Sequence, residues 1–202
     1  MCAGAGENAL VSRRLFVALI PPRAVLDQLA EAIAPLRADL PTVRWTRPET
    51  WHLTLAFLGA VEPEAIEALV DRLDRVAGRQ DPIELAVAGA GRFGDQVLWA
   101  GISVSGDRES VRRLADSVRA AARRSGVEVE SRPYRGHITL ARGTSAIDLR
   151  PLVERLRRFI GSPWTAAELY LVESQLGAGP GRTARYETRE RWPLRQRDLT
   201  DS

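Results

Sequence analysis

The chain is predicted to fold as a bilobal α+β protein. Two pseudo-symmetric lobes, each with a mostly antiparallel sheet and two helices, would flank an active site in the central cleft. Two observations carry this expectation. An order of strand, helix, strand, strand, helix, strand runs once from about residue 13 and begins again near residue 97. The two histidines open matching tetrads, His52-Leu53-Thr54-Leu55 and His137-Ile138-Thr139-Leu140, 85 residues apart at corresponding places in the two runs. Given one tetrad, composition alone supplies the second Thr and Leu with odds on the order of one in two hundred. An internal duplication explains both facts.

Residues 1–12 are small and polar and read as a loose leader. Residues 15–20 form a buried strand, and Pro21 and Pro22 suit the first turn of a helix, where a missing N–H costs nothing. Val25, Leu26, Leu29, Ile33 and Leu36 give that helix one apolar face. A short strand over 43–46 precedes the strand of His52, which stops at Gly59. A helix carrying Ala65, Ile66, Leu69, Val70 and Leu73 ends at Gly78, and a strand follows over 83–88. The second run has a strand over 97–104, then a helix with Val111, Leu114, Ala115 and Val118, closed by Gly126. A short strand over 127–130 leads to the strand of His137. Asp148 caps a helix carrying Leu152, Val153, Leu156 and Phe159. A long strand over 164–176 and a last one over 184–192 complete the chain. The expected organisation is a single domain over 13–195, with repeat halves of about 13–90 and 95–176, and a tail over 196–202.

At 202 residues, 45% hydrophobic and 27% charged, the composition is that of an ordinary soluble globular protein. No apolar run approaches the roughly 20 residues of a membrane helix. Arg13-Arg14 followed by apolar residues is too short for a signal peptide, and Pro21-Pro22 ends it without a cleavage site. Cys2 is the only cysteine, so internal disulfides are excluded and a cytoplasmic location is expected. The net charge is +3 and all 29 basic residues are arginine. Guanidinium grips phosphate in a bidentate way, although a genomic codon bias accounts for the same composition.

Several motifs have bland readings that outweigh functional ones. Gly89-Ala90-Gly91-Arg92-Phe93-Gly94 fits a dinucleotide-binding pattern, but a strand rather than a helix follows it, so it reads as a loop between strands. Gly177-Ala178-Gly179-Pro180-Gly181-Arg182 lacks the Lys-Ser/Thr of a P-loop and reads as the connection between the last two strands; a flap carrying Arg182 is the alternative. Trp45, Trp51, Phe57, Trp99 and Phe159 fall on apolar faces and read as core, the alternative being that one of them, or Tyr134, stacks on a base. Two histidines so far apart, without paired cysteines, make no metal set, and no cofactor is expected. A serine nucleophile would need one histidine and leave its twin unexplained.

Alternation puts His52 with Thr54 on one strand face and Leu53 with Leu55 on the other, and likewise for His137 with Thr139. Each tetrad thus offers an imidazole and a hydroxyl to one surface while anchoring itself in a core. Two imidazoles flanking one centre make a general acid and a general base. Hydroxyls beside them suit a phosphoryl group whose charge grows on nonbridging oxygens, and a phosphodiester needs protons managed at both attacking and leaving oxygens.

The chain resembles the 2H phosphoesterase superfamily, specifically the bacterial and archaeal RNA 2′,3′-cyclic phosphodiesterases, also called 2′-5′ RNA ligases. Arg14-Leu15-Phe16-Val17-Ala18-Leu19 with Pro21-Pro22 is similar to the family's N-terminus. Trp45 through Pro48 and Trp51 through Gly59 are similar to its first motif, Arg132 through Arg142 to its second, and Tyr186 with Trp192-Pro193-Leu194 to its C-terminal end. The resemblance covers about residues 13–195. It implies metal-independent opening of a 2′,3′-cyclic phosphate to a 2′-phosphate, with His52 and His137 as the catalytic pair and Thr54 and Thr139 holding the phosphate. Within that pair His52 is assigned as acid to the departing O3′ and His137 as base toward water; the two tetrads are equivalent in sequence, and substrate orientation decides between this assignment and its reverse. Arg142 matches a family arginine near the phosphate, yet strict alternation puts it on the face opposite His137, so it reaches the cleft only if the strand ends or bulges there. Gly136 stands where the family usually has proline.

The substrates implied are RNA with 2′,3′-cyclic phosphate ends or small cyclic nucleotides, and a monomer without membrane attachment is expected. Ligation of 2′-5′ ends, or cleavage of 2′-5′ oligonucleotides, would use the same residues. The competing class is a noncatalytic RNA-binding module, which would have no need of a proton-transfer pair.

Overall fold

The computed structural model describes residues 12–143 and 148–195. Most of the expected leader and the expected tail, Cys2 included, lie outside the described residues. Nine strands and four α-helices are present among those described.

The first strand, β1 (Arg13–Leu19), is apolar from Leu15 onward because both of its faces are buried there. Leu15, Val17 and Leu19 enter the main core, while Phe16 and Ala18 join Val172 in a small second cluster on the other face. Helix α1 (Arg23–Asp39) follows, with Pro22 in extended conformation at its cap rather than in its first turn. Val25, Leu26, Leu29, Ile33 and Leu36 are its buried stripe, as their spacing predicts. Then come β2 (Arg44–Trp45), β3 (Leu53–Val61), α2 (Pro63–Ala77) and β4 (Ile83–Phe93). The second run comprises β5 (Val97–Val104), α3 (Ser110–Arg124), β6 (His137–Arg142), α4 (Arg150–Leu156), β7 (Trp164–Ala166), β8 (Glu168–Gln175) and β9 (Arg185–Pro193).

The strands form a four-stranded sheet in the order β3-β1-β8-β9 and a five-stranded sheet in the order β2-β6-β5-β4-β7, with every pairing antiparallel. The two runs of elements exchange strands. β2 and β4 of the first run belong to the second sheet, and β8 and β9 of the second run belong to the first. The helices exchange in the same sense: α2 packs beside α3, with α3 against β3, while α1 packs beside α4, with α4 against β4 and β5. One continuous hydrophobic core therefore draws residues from both sheets.

Several boundaries differ from expectation. Residues 127–130 are not a strand; Val127 is buried, but the segment pairs with no neighbour. Gly59 does not end its strand: at φ +65° it takes a bulge conformation open to glycine, and β3 continues to Val61. The long strand expected over 164–176 is split at Ala167 into β7 and β8, which join different sheets. Phe159 lies beyond α4, and Asp148 accepts the Arg150 backbone N–H at 2.9 Å as a turn rather than as the helix cap, which Leu149 occupies.

The pattern at 89–94 is strand and turn. Gly89 takes φ +64° where β4 slips register against β5, and Gly94 takes φ +54° in the hairpin. Gly91 lies under the indole of Trp99, which a Cβ there would strike at 2.1 Å. Each of these glycines has a backbone or packing reason, and none opens a helix for a pyrophosphate. Residues 177–182 connect β8 to β9 as expected; the Arg182 side chain lies outside the described set. Among the described residues no helix is long and apolar enough to cross a membrane.

Candidate active site

His52 immediately precedes β3 and His137 opens β6, the strands of the two sheets that approach each other across the cleft. Both imidazoles are held in the same way. Nδ1 of His52 lies 2.7 Å from the carbonyl oxygen of Thr50, and Nδ1 of His137 lies 2.7 Å from that of Arg135. A carbonyl can only accept, so each Nδ1 carries the proton and each neutral ring keeps its lone pair on Nε2. The anchor is two residues back in both cases, so the duplication extends to the hydrogen bond that sets the tautomer.

The rings around them are not duplicated. Phe16 stacks on His52 with centroids 4.5 Å apart, and Tyr186 meets both rings edge-on, 5.3 Å from His52 and 5.2 Å from Phe16. His137 meets Phe93 edge-on at 4.9 Å and lies 6.1 Å from Trp99. Arg135 stacks over Trp99, its guanidinium carbon 4.6 Å from the ring centroid. Phe93 and Arg135 are thus neighbours of the site that sequence reasoning assigned no role, and Trp99, expected in the core, is buried and also borders the site.

These surroundings lower the proton affinity of both imidazoles. Burial is the main cause for His52 and takes its pKa down to about 4, against a partial rise from the Thr50 carbonyl; the charge of His137 lowers it further. His137 is lowered first by burial, then by the cations Arg135 and Arg142, while the Arg135 carbonyl works the other way. Both imidazoles are therefore neutral at pH 7, each with its lone pair on Nε2.

Thr54 and Thr139 lie on the strands two residues beyond their histidines, each half-buried. Neither hydroxyl has a protein partner among the described residues, so both are free to donate. Ile138 and Leu140 anchor β6 in the main core, as Leu53 and Leu55 anchor β3.

Arg142 is on the cleft side because β6 bulges. Thr139 pairs with Trp99, but Ala141 pairs with the next residue, Leu98, leaving Leu140 as the extra one. Leu140 and Ala141 are both buried in the main core, alternation resumes one residue late, and Arg142 returns to the face of His137. β3 has the same bulge: Thr54 pairs with Ala18 and Ala56 with Val17, with Leu55 in excess. Phe57 is thus the counterpart of Arg142. This corrects its expected place in the core: Phe57 is 60% exposed, its ring 6.2 Å from Phe16. Of the other aromatics expected inside, Trp51 and Trp99 are buried and Trp45 and Phe159 pack against the core. Tyr134 also packs there, with Arg119 5.6 Å over its ring.

A cavity of about 770 Å³ opens beside the histidines, with Phe16, Tyr186, Phe57 and Arg142 in its lining. Among the described residues no three His, Cys, Asp or Glu side chains converge as a metal set. The arrangement offers two imidazoles and two free hydroxyls on facing strands, with Arg142 and three further arginines in the lining of the adjoining cavity.

Comparison with known proteins agrees with this geometry. The family described as LigT like phosphoesterase matches twice, over residues 20–99 and 102–181. An RNA 2′,3′-cyclic phosphodiesterase of Escherichia coli is 32% identical over 192 residues, covering 91% of this chain and 98% of that protein. One of Geobacillus stearothermophilus is 30% identical over 162 residues, covering 78% of this chain; the chain spans only about half of that relative, 49%. Among solved structures, E. coli LigT in complex with 3′-AMP superposes with a TM-score of 0.71 at 30% identity, covering 92% of this chain and 99% of that one. With the repeated family match and the shared fold, the chain belongs to the LigT-like phosphoesterases, in the 2H phosphoesterase superfamily.

Proposed function

We propose that the protein is a metal-independent RNA 2′,3′-cyclic phosphodiesterase that opens a terminal cyclic phosphate to a 2′-phosphate. The observation that carries this reading is the pair of imidazoles with Nδ1 locked on a carbonyl two residues back and Nε2 free beside one cleft. A water attacks phosphorus and gives a proton to Nε2 of His137. The P–O3′ bond breaks, and His52 in its protonated form donates the Nε2 proton to O3′, leaving a 3′-hydroxyl and a 2′-phosphate. The acid's proton is stabilised by the anionic phosphate itself, whose charge offsets the burial that keeps His52 neutral in the free protein. Thr54 and Thr139 donate hydrogen bonds to the nonbridging oxygens, and Arg142 balances the charge growing there. Run backwards with a 5′-hydroxyl strand in place of water, the same residues would form a 2′-5′ linkage. We further propose that the protein acts in the cytoplasm, as a monomer.

The test is a mutation series on an oligonucleotide ending in a 2′,3′-cyclic phosphate. His52→Ala and His137→Ala should each abolish hydrolysis while RNA binding persists; survival of activity in either would overturn the mechanism. A substrate with sulfur at the 3′ bridging position needs no proton on its leaving group. It should rescue His52→Ala and not His137→Ala, and the opposite outcome would reverse the two roles.

A further inference from the structure

Four arginines line the cavity beside the histidines: Arg14, Arg44, Arg47 and Arg142. Three of them come from the two sheets, and Arg47 caps the short 3-10 turn Pro48–Thr50. Arg14 shares the cleft face of β1 with Phe16 and Ala18, while Arg44 on β2 and Arg142 on β6 are direct partners in the antiparallel pairing. Like charges placed opposite each other on neighbouring strands repel. Among the described residues no carboxylate relieves this pair, and none of the four arginines has an ion-pair partner there. Other surface arginines do find carboxylates, including Arg23 with Asp27 and Arg155 with Asp39. Glu128 and Glu130 also line the cavity, yet neither pairs with these arginines.

Only Arg142 is needed for the reacting phosphate, which leaves three guanidinium groups for other anions. Resting on the proposed reading of the site, we infer that Arg14, Arg44 and Arg47 form a track for the phosphodiester backbone of the RNA 5′ to its cyclised terminal nucleotide. The protein is then selective for oligonucleotides over mononucleotides. Guanidinium groups in a groove suit a phosphate chain because each takes one phosphate in a bidentate grip without reading the base. The carboxylates of Glu128 and Glu130 repel phosphate, so the backbone keeps to the arginine side of the cavity.

The experiment compares 2′,3′-cyclic AMP with the triadenylate ending in a 2′,3′-cyclic phosphate, which adds two internal phosphates. The native protein should favour the trimer by at least about tenfold in kcat/KM, and replacing all three arginines by alanine should bring the trimer-to-monomer ratio close to one, through KM. The slope of log KM against log salt for the trimer should fall by about 1.4, at roughly 0.7 per single-strand phosphate. A second variant with glutamine at the three positions keeps the long side chains and should behave the same way if charge is the cause. An unchanged ratio, or a native protein with no preference for the trimer, would overturn the track. Absence of turnover on either substrate would sink the proposed activity instead. Anisotropy of a fluorescein-labelled triadenylate 3′-phosphate still decides the track, which stands if the triple variant binds at least about tenfold more weakly and falls if binding is equal.

Discussion

The hydroxyl of Thr46 lies 2.7 Å from the carbonyl oxygen of Leu140, the residue that β6 carries in excess at its bulge. It is also 2.8 Å from the Thr139 carbonyl, and it accepts the indole N–H of Trp51 at 2.8 Å. The Thr46 backbone N–H donates to the same Leu140 oxygen at 2.9 Å. One side chain thus ties the residue before His52 to the irregularity that turns Arg142 into the cleft. A bulge interrupts the ladder and frees carbonyls, and Thr46 is where those carbonyls find a donor.

Thr46→Val removes that donor while keeping the shape. It also leaves the N–H of Trp51, which is 2% exposed, without its acceptor. A cost of about 1–3 kcal/mol in stability is expected from the unsatisfied groups. Urea unfolding would read this, and the accompanying rise in KM should resemble that of Arg142→Ala. A KM equal to the native value would mean that the bulge holds without Thr46.

Gly91→Ala puts a methyl where Trp99 now lies, 2.1 Å from its ring carbon Cζ2. The indole must shift, and with it the surface against His137 and the seat of Arg135. Overpacking of this kind costs about 1–3 kcal/mol. The expected signature is a lower thermal midpoint with a fall in kcat, and an unmoved Trp99 fluorescence spectrum would contradict it.

His52 makes stability pH-dependent. Its folded pKa of about 4 lies below the unfolded value of 6.5, so the unfolded chain binds more protons between those limits. Stability therefore rises with pH across that window and is lost as pH falls from 6.5 toward 4, by up to ~3 kcal/mol for this residue. Chemical denaturation at pH 7 and pH 4.5 should show a smaller difference for His52→Phe than for the native protein. Equal differences would show that the imidazole is not held neutral.

The activity profile should follow the same electrostatics. Both imidazoles are lowered in the free protein, so the bell of kcat/KM against pH is expected to centre below pH 6.5. Bound phosphate favours protonated imidazole, so the kcat profile should lie at higher pH. A kcat/KM optimum above pH 7.5 would argue against this reading.

Chelation supplies a final check. With two imidazoles for both proton transfers, full activity is expected in excess EDTA, and loss of activity restored by an added divalent cation would count heavily against the mechanism.

The elements and the paired tetrads could be read along the chain because each rests on a short repeat of spacing. An apolar face every three or four residues marks α1, α2 and α3. Alternation separates His52 and Thr54 from Leu53 and Leu55, since a core must take one face of a strand and leave the other. Strand partners were not legible, because any antiparallel neighbour satisfies the same alternation. Only the packed structure shows that the two runs exchange β2 and β4 for β8 and β9, uniting them in one core. Bulges were equally hidden: a register slip at Leu55 and at Leu140 turns on backbone hydrogen bonds made by distant strands. Those two slips bring Phe57 and Arg142 onto the histidine face, so the sequence by itself determined the paired histidine tetrads, while the tertiary structure decided which cation stands beside them.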